Sequence, residues 1–143
     1  MLDSIQIDDF MTISPVIFSP ETELYEAVHI LLENKVTGGT VLDEEGHVLG
    51  VVSEMDLLKA LENVSYYNEG GGKVGDYMTT EVVAIEEHMN IFDVANKLLE
   101  LKIRRLPVVR HGKFAGQVSC RSILQAMKDS MCEHDKAEDE ILE

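Results

Sequence analysis

Apolar and polar positions alternate along this 143-residue chain with two distinct periods. Leu24, Ala27, Val28, Leu31 and Leu32 fall at the spacing of one helix face, and Ile91, Val94, Ala95, Leu98 and Leu99 repeat it. Ahead of each stripe, residues 15–19 and 82–86 are short and β-branched or apolar, which predicts an extended strand. Behind each comes a hairpin. The first joins Thr40–Leu42 to His47–Val52 through Asp43-Glu-Glu-Gly46, and the second joins Pro107–Val109 to Phe114–Val118 through His111-Gly112. Ser53 and Ser119 each open a second helix, and Thr22 and Asn90 are the expected N-caps of the first helices. The order is β-α-β-β-α, twice, which predicts an α/β (α+β) fold.

The repetition extends to residue identity. A shift of 67 residues lays Asp9-Phe-Met-Thr12 on Asp76-Tyr-Met-Thr79, Leu24–Val28 on Ile91–Ala95 and Leu31-Leu-Glu33 on Leu98-Leu-Glu100. Deleting one loop residue then aligns Gly46 with Gly112, Gly50 with Gly116, and Val52-Ser53 with Val118-Ser119. Two units, 9–62 and 76–128, follow one design. A lone unit of that length buries only about 60% of its unfolded surface and is marginal, so the two are expected to pack as a pseudo-twofold pair. The expected division is a first repeat over 1–62, a flexible linker over 63–73, a second repeat over 74–128 and an acidic tail over 129–143. Three glycines mark the linker. The tail can extend the last helix or fray, and fraying is the expectation.

Charge changes the picture more than composition does. Twelve Lys+Arg against 27 Asp+Glu give a net charge of −15, which argues against nucleic acid polymers and anionic membranes as partners. Residues 1–68 carry 13 acids and 2 bases, and 128–143 carry 7 acids and 2 bases, whereas 69–127 hold 7 acids and 8 bases. All four arginines (Arg104, Arg105, Arg110 and Arg121) lie in that central stretch. No stretch reads as a signal peptide or as a membrane-spanning helix, and two cysteines are too few for a disulfide scaffold, so a reducing cytoplasm is expected.

The opening Asp-aromatic-Met-Thr, then Arg104-Arg-Leu-Pro-Val-Val109, then Gly50-Val-Val-Ser-Glu-Met-Asp-Leu-Leu58 resemble a CBS-domain pair, the Bateman module, over about residues 5–130. The resemblance implies a non-catalytic, ligand-sensing regulatory module. It would bind an adenine nucleotide (AMP, ADP or ATP) or S-adenosylmethionine in a cleft between the repeats and pass a change of shape to a separate target protein. It also implies a homodimer, with no cofactor required.

On residue chemistry alone, Ser53-x-x-Asp56 reads as a capping box. The resemblance adds a second role, since family members use this aspartate to hold the two ribose hydroxyls. Carried over, the main site comprises Ser53 and Asp56, the segment Thr79, Val82 and Val83, and Ile103, Arg104, Arg105, Leu106 and Pro107 of the other repeat, with the arginines suited to phosphate by their planar fork. The alternative for Arg104 and Arg105 is pairing with surface acids. The mirror site, Thr12, Val36, Thr37, Gly38, Gly39, Ser119 and Ser122, lacks the carboxylate, the arginines and the proline, so it is expected to be weaker. Arg121 is expected on a solvated helix face.

Gly70-Gly-Gly-Lys73 departs from a phosphate loop at Tyr67 and Val74, and Cys132-Glu-His134 lacks a second ligand pair, so neither predicts a site and no metal is expected. No catalytic triad or carboxylate pair stands out. A second reading is an interaction adaptor with vestigial ligand sites, its acidic first repeat docking a basic partner.

Overall fold

Leu24, Ala27 and Leu31 wind into one turn-by-turn stripe of helix α1 (Leu24–Asn34), and Ile91, Val94 and Leu98 do the same in α4 (Ile91–Leu101). The structure, a computed structural model, describes residues 5–12, 16–67 and 71–142, with side chains 64–67 and 133–142 not among the described ones. Residue 15 of the first expected strand and residues 68–70 of the expected linker lie outside the described residues. The chain forms two compact units, neither continuous in sequence. The inserted unit holds Ser14–Val83 and His111–Phe114, and the split unit holds Met1–Ile13, Ala84–Arg110 and Ala115–Glu143.

In the inserted unit the order is β1 (Ile17–Phe18), α1, β2 (Gly38–Leu42), β3 (Val48–Ser53), α2 (Glu54–Tyr67) and α3 (Val74–Tyr77). β1 lies parallel to β2, pairing Ile17 with Thr40, and β2 runs antiparallel to β3, pairing Gly38 with Ser53. The Asp43–His47 turn closes on a carboxylate, because Asp43 Oδ1 accepts from the Glu45 and His47 N–H groups, each at 2.9 Å. Phe18, Leu24, Leu31, Val41, Val52, Leu57 and Val74 form its core.

Three expectations are corrected here. Thr22 does not cap α1. Its Oγ1 accepts from the Ser19 N–H (3.0 Å) in the preceding turn, Glu23 occupies the N-cap, and the Leu24 N–H donates instead to the Gly72 carbonyl (3.1 Å). Regular structure does not stop at residue 62, since Asn63–Tyr67 contain no glycine or proline and α2 continues through them. Val82 and Val83 are not in a strand, because β4 is only Ile85–Glu86.

The split unit runs β4, α4, β5 (Arg105–Arg110), β6 (the Ala115–Ser119 part of Lys113–Ser119) and α5 (Cys120–Leu142), with sheet order β4-β5-β6. Asn90 caps α4 as expected. Its side chain accepts from the Asp93 N–H (2.9 Å), and the Asp93 carboxylate accepts from the Asn90 N–H (3.3 Å). The backbone of α5 is helical to Leu142 and so carries through the acidic segment. Among the described residues no helix is long and apolar enough to cross a membrane.

The split unit recruits the start of the chain. Ile7 and Phe10, around a 3₁₀ turn at Ile7–Asp9, are buried with Ile85, Ile91, Leu106, Val108 and Val118. Ile7 occupies in this unit the place that Val74, its partner under the 67-residue shift, occupies in the inserted unit. Each compact unit therefore takes its lead-in segment from the other sequence repeat. Arg110 fastens this segment by donating to Asp8 (2.8 Å) and to Glu87.

Candidate functional site

In the inserted unit β3 hands over to α2 at Ser53, and the capping box forms in full. Ser53 Oγ accepts from the Asp56 N–H (3.2 Å) while Asp56 Oδ2 accepts from the Ser53 N–H (2.9 Å). The same Oδ2 accepts from the Ser53 hydroxyl (3.0 Å) and, at 3.5 Å, from the Thr79 hydroxyl. Oδ1 takes no hydrogen bond among the described residues. One oxygen of a half-buried carboxylate is thus fixed and the other is left able to accept.

Thr79 reaches this position because its segment pairs with β3. The Val51 N–H donates to the Thr79 carbonyl (3.0 Å) and the Thr79 N–H donates to the Val51 carbonyl (2.8 Å). Gly50 permits the approach, since a Cβ there would lie 2.6 Å from the Thr79 carbonyl oxygen. On the other side, the Glu54 N–H donates to the Thr37 carbonyl (3.0 Å), and Gly38 and Gly39 pair with Ser53 and Val52. Val36 follows the α1 C-cap, donating its N–H to the Leu31 carbonyl (3.2 Å).

The split unit repeats this construction with different side chains. Ser119 Oγ accepts from the Ser122 N–H (3.0 Å), and Ser122 Oγ both accepts from the Ser119 N–H (2.9 Å) and donates to the Ser119 carbonyl (3.0 Å). A single hydroxyl oxygen replaces the carboxylate and is already engaged twice. Thr12 pairs with Gln117 beside Gly116, where a Cβ would meet the Met11 side chain at 2.6 Å. The Cys120 N–H donates to the Arg104 carbonyl (2.9 Å), the counterpart of Glu54 and Thr37. Ile103 and Arg104 are exposed, Arg105 is half-buried, Leu106 and Pro107 are buried, and Arg121 is exposed.

The expected site residues therefore sort as follows. The inserted unit brings together Ser53, Asp56 and Thr79, with Thr37, Gly38 and Gly39 adjoining them and Val82 and Val83 further along the chain. The split unit brings together Ser119, Ser122 and Thr12 with Arg104, and Arg105, Leu106 and Pro107 follow in β5. Within each unit, the helix that opens at Ser53 or Ser119 is hydrogen-bonded to the preceding segment of its own repeat, and in the inserted unit Asp56 also accepts from Thr79 of the other repeat. Neither the backbone bond at the Thr37 carbonyl nor the close approach at Gly50 was read from sequence. Their signal was present in the repeat itself, which aligns Thr37 with Arg104 and Gly50 with Gly116.

The His47 N–H holds the Asp43 carboxyl below the usual carboxylate range, Glu21 raises Lys73, and Asp8 and Glu87 raise Arg110. Among the described residues no cluster of His, Cys, Asp or Glu could hold a metal ion.

Comparison with known proteins identifies the arrangement. The CBS domain family matches residues 7–63 and 74–129. A chloroplastic CBS domain-containing protein of Arabidopsis thaliana, CBSX1, is 34% identical over 137 residues, covering 77% of this chain and 58% of that protein. The chain spans about three-fifths of the length of the curated relatives it matches. The crystal structure of CBSX2, also from Arabidopsis thaliana, in complex with AMP matches with a TM-score of 0.78 at 34% identity, covering 90% of this chain and 99% of that one. The CBS domain pair of protein MJ0100, crystallised with 5-methylthioadenosine and S-adenosyl-L-methionine, shares the fold at a TM-score of 0.74 and 23% identity, covering 88% of this chain and 98% of that one.

Proposed function

Because this chain belongs to the CBS-domain family, we propose that it is a non-catalytic sensor that binds an adenine nucleotide or a related adenosyl compound and transmits binding as a shift in conformational population. The observation that carries the reading is Asp56. Its carboxylate is held through Oδ2 while Oδ1 can accept from a ribose hydroxyl, and it sits in the first turn of α2, where the backbone N–H groups favour an anion. The AMP complex of a relative with one-third identity supports the ligand class.

In this reading Asp56 takes the ribose diol with Ser53 and Thr79 as its supports. Arg104 and Arg105 serve phosphate, for which a guanidinium is suited because it stays charged and donates in pairs. The Ser119–Ser122 motif contributes less, since its one hydroxyl oxygen is already bonded on both sides. A reducing compartment such as the cytoplasm suits the free and exposed Cys120 and Cys132.

Thermal unfolding against AMP, ADP, ATP and S-adenosylmethionine tests this. A ligand at 100 times its Kd adds about 2.7 kcal/mol of stability. Asp56→Asn keeps a side-chain acceptor for the cap but removes the charge, so it should weaken binding at least about tenfold with little change in melting temperature. No response to any adenosyl compound at millimolar concentration would sink the proposal, as would an Asp56→Asn protein that binds like the parent.

A further inference from the structure

The two lead-in segments end alike and begin differently. At the end of the first, the Thr12 N–H donates to the Gln117 carbonyl (2.7 Å) and the Gln117 N–H to the Thr12 carbonyl (3.0 Å). These residues align with Thr79 and Val51, which exchange the same two bonds in the inserted unit at 2.8 and 3.0 Å. The inserted unit then adds three backbone bonds at the start of its segment. The Leu24 N–H donates to the Gly72 carbonyl (3.1 Å), the Val74 N–H to the Thr22 carbonyl (2.8 Å) and the Gly75 N–H to the Pro20 carbonyl (2.9 Å). Among the described residues the split unit has no counterpart to these three, and the backbone bonds of residues 5–11 close within their own turn.

The repeat alignment supplies the reason. Gly75 approaches Pro20 because it has no side chain, and a Cβ there would lie 2.9 Å from the Pro20 carbonyl oxygen. In the split unit Asp8 stands at the position of Gly75, and Glu87 at that of Pro20. A side chain at Asp8 shuts out the close backbone approach, and Arg110 joins the two carboxylates instead. It donates to Asp8 through Nη2 (2.8 Å) and to Glu87 through Nε. The side chains of Asp8, Glu87 and Arg110 are 66%, 41% and 37% exposed, so water and salt reach the bridge and screen it. Burial of Ile7 and Phe10 supplies the rest of the hold.

We propose that residues 5–12 are a strap that opens as one piece while the rest of the chain stays folded, latched by Arg110 and released more readily as ionic strength rises. Opening withdraws Thr12 from Gln117, two residues before Ser119, and lifts Met11 off Gly116, where a Cβ would meet its side chain at 2.6 Å. The strap thereby uncovers the strand that leads into the Ser119–Ser122 motif. The split unit gains a two-state element that the three extra backbone bonds deny to the inserted unit. The inference does not depend on the ligand reading, and its test uses no nucleotide.

Amide hydrogen exchange of the full chain, followed residue by residue, compares the four matched amides in one sample. In the parent, Thr12 and Gln117 should be at least about tenfold less protected than Thr79 and Val51. Raising salt from about 0.05 M to about 0.5 M should widen that gap about threefold. Asp8→Ala, at an exposed position, and Arg110→Gln should each speed exchange at Thr12 and Gln117 by about three- to tenfold and leave Thr79 and Val51 unchanged. The double variant should be no faster than Arg110→Gln alone, because removing either end already breaks the bridge. Equal protection of the four amides, a gap indifferent to salt, or an Asp8→Ala protein as slow at Thr12 and Gln117 as the parent would overturn the proposal. A variant that speeds all four alike, or a double variant faster than Arg110→Gln, would overturn it too.

Discussion

Gly50→Ala probes the closest backbone approach at the candidate site. The added methyl would lie 2.6 Å from the Thr79 carbonyl oxygen and 2.9 Å from Met78 Sδ, where ordinary contact begins at 3.4 Å. The sulfur can swing aside, but the carbonyl belongs to backbone, so the Thr79 segment has to retreat from β3. The retreat breaks the two Val51–Thr79 hydrogen bonds of 3.0 and 2.8 Å. At about 1 kcal/mol each, their loss comes to about 2 kcal/mol. For a chain of this size that corresponds to a fall in melting temperature of about 6–8 °C. Thr79 would also leave Asp56, and amide exchange at Thr79 and Val51 should accelerate together. Gly46→Ala is the comparison, because a Cβ there meets nothing within 4 Å and only the φ of +92° is strained. It should cost about 1 kcal/mol and leave both amides protected. A Gly50→Ala protein that melts no lower than the parent, with Thr79 still protected, would refute the steric reasoning.

Adjacent leucines in α4 separate core from surface: Leu98 is 3% exposed and Leu99 75%. By chemical denaturation, Leu98→Ala should lose about 2–5 kcal/mol and Leu99→Ala no more than about 0.5 kcal/mol. Asp43 gives a pH signature. Its folded-state pKa is depressed, chiefly by the His47 N–H, so the stability it contributes is present above the ordinary carboxylate range and lost as pH falls through the folded value. Asp43→Ala should therefore be less stable than the parent at neutral pH, with the gap closing on acid titration. A gap that widens in acid would contradict the assignment.

The element order was legible in the sequence because two apolar periods, 3.6 and 2, alternate in each repeat, and every core residue of α1 has a counterpart in α4. The Ser53 capping box and the Asn90 N-cap were legible because their hydrogen bonds close over three residues. Thr22 was misread for a reason of the same kind. Its hydroxyl had a nearer donor at Ser19, and the helix N–H found a carbonyl 48 residues away, at Gly72, that no local pattern announces. Long-range pairing also decided the lead-in segments. Nothing around Asp9–Thr12 indicates that Thr12 pairs with Gln117, because a repeat reads in sequence as a continuous piece. At the candidate site the side-chain chemistry could be named in advance, but the backbone bonds that join the segments within each unit could not. The decisive bonds, Glu54 to Thr37 and Cys120 to Arg104, run from backbone to backbone and are blind to side-chain identity.

The borrowed lead-in segments also set an order of assembly during synthesis. Once residue 83 has been made, nearly all of the inserted unit exists and can close on its own core, lacking only His111–Phe114. Ile7 and Phe10 have no such opportunity. Their core partners Val108 and Val118 emerge only after about a hundred further residues, and Gln117, which receives Thr12, comes equally late. Until then residues 5–12 are a tethered segment awaiting its socket, and the core they join is the later of the two to close.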